Sequence, residues 1–527
     1  MTSGILTWNT VSTVVIQDTL IDLNEAHPEE TNYKSGSGCG GGIYLAEGAS
    51  LSLGEGTVIS NNKAFKSNDY RITITSGMGG GIYSANPTSF TIVEAVEKDD
   101  AVKILSNNAQ KVGGGIYHAS DSVELDIPAK TVFKENFCDS TGGAVYVGYQ
   151  TVVTLENGVI IEKNTAKQGG AIYNYELLNL KGGTIGGSTE DTSNTATSED
   201  GAIYNYSSTS DSVPNGVINI KSNDVSIPCN EVKKNDVLIP TMDNAKSAPV
   251  AIATELSGNG AIAYLTVQNW RRVAAILNAV AGHSITSAER QKFILTSVPA
   301  VPEVSPEVSM EEMFTKFIIP GEDGNVDQLK IDASIYVSAT GSDGEADNPL
   351  YGTIEYPFAS FSKAIAAAPS GMDAEIVVDG EIVLDNGPDG YTVNISYPSG
   401  LEPASLLIRG KAGNSNDIIN RNLTDDLPAS YRYQHKGVCV LVATSAPVTF
   451  KNITITGGNN SEDDTMTSNS MTYQPYSCGG MSIGINANVT LDEGTLITGN
   501  KTKWCGGGVY VNGIKTTIIL LQWVLLQ

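Results

Sequence analysis

The sequence predicts an all-β chain, a right-handed parallel β-helix solenoid in two blocks with a small non-repeat module between them. Three observations carry this prediction. A Gly-Gly-(Gly/Ala)-(Ile/Val)-Tyr signature ends at Tyr44, Tyr83, Tyr117, Tyr146 and Tyr173, returns as Gly201-Ala202-Ile203-Tyr204, and recurs as Gly506-Gly507-Gly508-Val509-Tyr510. Steps of 39, 34, 29, 27 and 31 residues separate the first six tyrosines, and a period of roughly 20–50 residues marks an array whose units bury their apolar faces against neighbours. Between signatures a second pattern repeats: Leu53-x-x-Gly56 leads to Asn62, Leu155-x-x-Gly158 to Asn164 and Leu491-x-x-Gly494 to Asn500, each asparagine six residues after its glycine. Finally, no apolar stripe of helical period fits these units.

Each element of the unit has a local reason. Runs of β-branched residues between Gly and Asn corners, such as Thr57-Val58-Ile59 and Val159-Ile160-Ile161, read as short strands. The glycines supply corners where φ is positive or backbones meet closely. An asparagine repeated at one corner can hydrogen-bond along the axis as an internal ladder. Three such strands make a coil of about 25–30 residues, with coils stacked about 4.8 Å apart. Residues 1–235 form the first block, roughly eight coils or about 38 Å of stack at that spacing. Phe133-x-x-Asn136 reaches Gly142 by the same route, and Ile104-x-x-Asn107 reaches Gly113. The longer steps imply loops inserted at Lys66–Thr75 and Val96–Lys103, which leave a stacked core untouched.

The repeat grammar stops after the first block. Residues 236–296 are read as a small intermediate module in which Trp270–Ala281, closed by Gly282, has helical composition; strands of a sandwich-like module are the alternative. Residues 297–330, with Pro299, Pro302, Pro306 and Pro320 among acidic residues, read as a linker. The second block, 331–527, opens with a strand at Ile335–Ser338 and an acidic Gly-rich loop. An Ala-rich helix near 359–368, opened by a Ser cap, follows. Lone strands are expected at Ala374–Ile382, Ser405–Arg409 and Val448–Ile455 before the Gly-Gly coils resume at Cys478. Neither end reads as native. Met1-Thr2-Ser3-Gly4 lacks the basic and apolar regions of an export signal, and the apolar tail 514–527 abandons the repeat, so a piece of a longer protein is expected.

Composition narrows the function classes. A formal charge of −26, from 32 Lys and Arg against 58 Asp and Glu, disfavours nucleic acid and anionic membranes as partners. No apolar run is long enough for a membrane-spanning helix. Six cysteines are too few for a disulfide framework, and no CxxC or Cys/His cluster points to a metal or other cofactor. Cys478 and Cys505, 27 residues apart before Gly-Gly pairs, fall at equivalent places in adjacent coils and within disulfide reach. Cys39 and Cys138 occupy similar places, which fits a corner that accepts any small buried residue.

The pairing of Phe133-x-x-Asn136 with Gly142-Gly143-Ala144-Val145, and its relatives over roughly residues 30–205 and 330–513, resembles the repeat of chlamydial polymorphic outer-membrane proteins and related bacterial surface proteins. The opening of the second block resembles the entry of pectate-lyase-like (pectin-lyase fold) β-helix proteins, where a helix plugs the first coil. These resemblances imply an exported, adhesin-like passenger rod, at the cell outer membrane surface or secreted. A host glycan or surface protein is the implied partner.

Two candidate sites compete within this reading. If the Ile or Val before each tyrosine faces inward, then Tyr44, Tyr83, Tyr117, Tyr146, Tyr173 and Tyr204 face outward as a possible ligand-binding ladder. The plainer alternative is that they stack on each other and stiffen the sheet. An enzyme acting on acidic polysaccharides needs convergent carboxylates with Lys, Arg or His. Asp99-Asp100, Asp425-Asp426 and Asp463-Asp464 lie in expected loops without basic partners, Arg409-Gly410-Lys411 reads as a lone basic turn, and His27, His118, His283 and His435 are scattered. Asp343, Glu345 and Asp347 alternate like a calcium loop, but a capping turn explains them better. No catalytic residue is expected.

Overall fold

Short strands stacked in parallel register make up both units of the chain, Met1–Ile331 and Asp332–Gln527. The computed structural model describes residues 5–7, 12–28, 38–67, 76–198, 201–208, 215–229, 236–240, 249–258, 260–268, 275–280, 282–296, 308–313, 317–320, 328–344, 350–384, 392–413, 416–422, 438–460, 478–502, 506–511, 515–521 and 525–526. Both units are parallel β-helices. In the first, one coil runs Val145–Val147, Val152–Leu155, Ile160–Glu162 and Thr165–Ala166, and each strand pairs in parallel with its equivalent one coil later. Ile172, Ile161 and Leu155, one from each long face, are fully buried, so the core is a column of aliphatic side chains inside the coils.

The two glycines of the signature do different work. Gly142 has φ +72° and carries the chain through the left-handed region. Gly143 lies where a Cβ would collide with the carbonyl oxygen of Gly170 in the next coil. The third position has room for Ala144 and Ala171, which explains the Gly/Ala alternation there. At the opposite corner the residue before each ladder asparagine is also left-handed without being glycine: Asn61, Ser106, Glu135 and Lys163 have φ of 56°, 53°, 59° and 57°.

The expected asparagine ladder runs inside the coils. Nδ2 of Asn24, Asn62, Asn107, Asn136 and Asn164 each donates to Oδ1 of the next asparagine, ending on Asn194, at 2.9, 3.0, 3.0, 2.9 and 3.0 Å. Each Oδ1 also accepts from the backbone N–H of the previous rung, as Asn136 does from Asn107 at 3.1 Å. Nδ2 of Asn136 makes a second bond to the Ile104 carbonyl at 2.8 Å. Every amide is thus satisfied although Asn62 through Asn194 are fully buried, the condition on which a buried polar column is tolerated. Beside it, Ala109, Cys138 and Ala166 form a buried row of small side chains, so the corner does accept Cys or Ala alike.

Three expectations for the non-repeat regions are corrected. Residues 236–296 do not form a separate module; Val237–Ile239, Ala263–Val267 and Phe293–Thr296 extend the tyrosine-bearing sheet, and Val250–Ile252 and Ala275–Ala279 extend the next one. Ala275–Ala279 is therefore a strand where a helix was expected, because pairing with Val250–Ile252 and burial of Ile276 and Leu277 outweigh local propensity. Residues 297–330, expected as a linker, supply Val308–Ser309 and Gln328–Ile331, which run antiparallel to the last parallel strands, and Ile318–Pro320, which pairs with the latter. These cover sheet edges that would otherwise be open.

The second unit follows the same plan with looser spacing. Its expected lone strands are not alone: Ile335–Ser338, Asp373–Asp379, Ser405–Gly410, Pro447–Lys451, Asn488–Leu491 and Thr517–Leu520 form one parallel sheet. The helix is Phe361–Ala367, capped by the Ser360 hydroxyl, and it places Phe361, Ala364 and Ile365 in the core of that unit. Asp343 caps the same turn, its Oδ1 accepting from the N–H groups of Ala359 and Ser360 at 3.0 and 2.9 Å; Glu345 and Asp347 lie outside the described residues, as does Cys505, so the Cys478–Cys505 pairing does too.

Replacing Asn136 with Ala strands the donors of Asn107 and the acceptors of Ile104 and Asn164, and should cost about 3 kcal/mol or more in chemical unfolding. A Gly143→Ala variant should lose about 3 kcal/mol by overpacking the corner, whereas Lys163→Gly, which relieves a left-handed non-glycine residue, should gain about 1 kcal/mol.

Candidate functional site

Parallel in-register pairing puts like residues above like, and on the signature sheet those residues are tyrosines. Tyr44, Tyr83, Tyr117, Tyr146, Tyr173 and Tyr204 form one continuous stack, with centroids 4.9, 5.0, 5.2, 5.4 and 5.0 Å apart and planes within 15° of parallel. The aliphatic residue before each rung points inward and is buried. The stack is therefore on the outer side of the sheet, as the period of two requires. Its rings cover one another: the first four rungs are half-buried, and Tyr173 and Tyr204 are buried. Burial raises the phenol pKa along the row, at Tyr83, Tyr117, Tyr146 and Tyr173 alike. With each inner face occupied by a neighbouring ring, the ladder offers edges, not the open faces that a sugar stacks on.

A second aromatic row lies beside the last rungs, and the sequence reading missed it. Tyr175 and Tyr206 stack with centroids 4.2 Å apart and planes 12° apart, and Tyr149 meets Tyr175 edge-on at 6.1 Å. The signal was present as Ile172-Tyr173-Asn174-Tyr175 and Ile203-Tyr204-Asn205-Tyr206, two copies in adjacent coils. On the inner side of the same strands, buried Asn174 Nδ2 donates to Asn205 Oδ1 at 2.7 Å and to the Val217 carbonyl at 3.0 Å. Tyr149 is half exposed, and Tyr175 and Tyr206 are half-buried.

One inserted loop is held in a fixed shape. Val96 N–H donates to the Glu55 carboxylate at 2.6 Å, and Lys130 Nζ donates to the carbonyls of Ala95 and Val96 at 2.9 and 2.6 Å. Val96 itself is 76% exposed, and Val93 is exposed beside it. Asp99 and Asp100 sit in the turn Lys98–Asp100 of this loop and are exposed. The loop expected at Lys66–Thr75 lies largely outside the described residues.

Among the described histidines none meets another. His27 stacks on Phe65 and lies 3.0 Å from Glu25. His283 contacts the buried carboxylate of Glu289 at 2.9 Å; desolvation would raise that carboxyl pKa, but hydrogen bonds from Thr286, Leu256 and His283 hold it low. His118 is fully buried next to the ladder, bonded to Ser84 Oγ at 3.2 Å and to the Val123 carbonyl at 3.0 Å. Burial lowers its pKa from 6.5 to about 4. His435, Asp425-Asp426 and Asp463-Asp464 lie outside the described residues. No group of three or more His, Cys, Asp or Glu suited to a metal ion occurs among the described residues.

Arg409-Gly410-Lys411 is not the lone basic turn expected. Arg409 Nε donates to Glu375 at 2.6 Å, and Lys411 Nζ lies 2.7 Å from Asp379, each partner being one coil earlier. Ser334 Oγ also donates to Glu375 at 2.6 Å, and the Tyr336 hydroxyl donates to Asp332 at 3.2 Å. Burial first, then Asp332, raises the Tyr336 pKa. Stacking thus assembles a charged row on the second unit's largest sheet from residues more than 30 positions apart.

Residues 158–175 match the model of the Chlamydia polymorphic membrane protein repeat. That stretch holds the Gly158-to-Asn164 corner, the Gly169-Gly170-Ala171 turn and the rung Tyr173. It spans the last two strands of one coil of the first unit and the first strand of the next. No curated protein and no solved structure matches the chain. Among the described residues no helix is long and apolar enough to cross a membrane.

As pH falls, the unfolded chain protonates His118 near 6.5, before the folded chain does near 4. The folded state should therefore lose up to about 3 kcal/mol between those values through this residue alone. Urea titrations at pH 7 and pH 4.5 should show that loss shrinking in His118→Gln.

Proposed function

We propose that the chain is a surface-exposed or secreted bacterial repeat protein that acts by adhesion, presenting fixed loops from a β-helical scaffold without catalysing a reaction. The repeat match at residues 158–175 supports the bacterial surface assignment. The observation that carries the adhesive role is the loop around Val96: an exposed aliphatic tip whose backbone is already bonded to Glu55 and Lys130. A preformed loop binds without the entropy cost of ordering, and a bare apolar tip in a polar surround is the chemistry of a contact residue. The tyrosine ladder then serves as stiffener. Its partner is a host glycan or surface protein.

Purified protein is expected to bind host cells or a glycan panel. Val96→Asp should weaken that binding about tenfold, roughly 1.4 kcal/mol, with no change in thermal midpoint, and Tyr117→Phe should leave both unchanged. Undiminished binding by Val96→Asp removes the loop from the contact, and failure to bind any host surface ends the adhesive reading.

The charged row on the second unit favours a second reading, action on acidic polysaccharides, with Glu375 and Tyr336 as proton-transfer groups and Arg409 facing the uronate. Release of new sugar ends from polygalacturonate that disappears in Glu375→Gln would establish it. The existing pairing of Glu375 with Arg409 and Ser334 weighs against it, since both partners already occupy that carboxylate.

A further inference from the structure

We propose that Tyr175 and Tyr206 form an oxidative cross-linking site, at which a haem peroxidase with hydrogen peroxide joins the two rings and so ties one coil covalently to the next. The geometry singles out this pair. Its centroids are 4.2 Å apart, closer than any two rungs of the main ladder, where the spacing is 4.9–5.4 Å. The planes are 12° from parallel. Tyr175 and Tyr206 follow paired residues of adjacent parallel strands, so the stacked rings bring their ortho carbons, the Cε atoms, face to face. Both residues lie just beyond the ends of their strands, Ile172–Asn174 and Ile203–Asn205, so the rings can tilt into a biaryl without breaking the ladder pairing.

Ring spacing separates this pair from every rung, and burial separates it from the two rungs beside it, Tyr173 and Tyr204. Each phenol gives up one electron and one proton to become a phenoxyl radical. The two radicals couple through a Cε–Cε bond, and each Cε hydrogen then moves to its phenolic oxygen, restoring both aromatic rings. Two phenols lose two hydrogens in all, and hydrogen peroxide is reduced to two waters. The proton must leave as the electron does. Tyr173 and Tyr204 are buried, so neither has a ready path for that proton. Tyr175 and Tyr206 are only half-buried, and half-exposed Tyr149 touches Tyr175 edge-on, giving an oxidant an entry point. The main ladder conducts no coupling of its own; its rungs are held at a spacing set by the coils.

The full chain, treated with a haem peroxidase and hydrogen peroxide, should stay monomeric on a reducing denaturing gel, lose two hydrogens in mass and gain dityrosine fluorescence. Trypsin should then release peptide 168–181 linked to peptide 182–221. Tyr175→Phe and Tyr206→Phe, which keep both rings stacked, should each abolish the link, and Tyr204→Phe should retain it. Prior unfolding in guanidinium should also abolish it. A link that survives Tyr206→Phe, one lost in Tyr204→Phe, or dityrosine formed only between chains through Tyr149 would overturn the proposal.

Discussion

Parallel in-register stacking is the constraint on which everything else in this molecule rests. Each coil must set its backbone amides over those of the previous coil, so whatever side chain occupies a position is placed against its own counterpart. Such a rule penalises charge, because like residues would meet like, and rewards residues that pair with themselves. Asparagine does so by donating and accepting at once, as the row from Asn24 to Asn194 does. Tyrosine does so by stacking, and alanine or cysteine by being small. Glycine permits the closest approach of all, at Gly143 beneath Gly170.

The same rule limits what the tyrosines can do. Six rings stacked at about five ångströms gain roughly 0.5–1.5 kcal/mol per pair beyond their burial, but they spend their faces on each other. Features able to meet a partner therefore arise where repetition is broken. The loop at Val96 is an insertion, the Tyr175–Tyr206 pair is a local extension of two adjacent coils, and the charged row of the second unit appears where Gly-Gly corners are missing. Departures from the repeat, more than the repeat itself, hold the functional candidates.

Charged residues illustrate how stacking produces pairs that sequence distance conceals. Glu375 and Arg409 lie 34 positions apart and Asp379 and Lys411 lie 32 apart, yet each pair is in contact between adjacent strands. Pairs of this kind, open to solvent on one side, add little stability. Their consequence is chemical: they neutralise a row that would otherwise repel, within a chain whose formal charge is −26.

The repeat signature, the asparagine spacing and the absence of helical periodicity were enough to determine the fold class, the ladder positions and the inward or outward sense of each residue. All of these follow from local geometry, since a corner needs Gly142 and a strand alternates. The continuation through residues 236–296 was not legible, because those coils close without Gly-Gly and Ala275–Ala279 has helical composition; only pairing with Val250–Ile252 makes it a strand. That the tyrosines stack on each other was the plainer of two sequence readings, but it was not legible that Arg409 has a partner, or that Tyr175 and Tyr206 lie closer than any rung. Those depend on which residue lies one coil above, a distance set by the loops between coils, and no local rule in the chain encodes it.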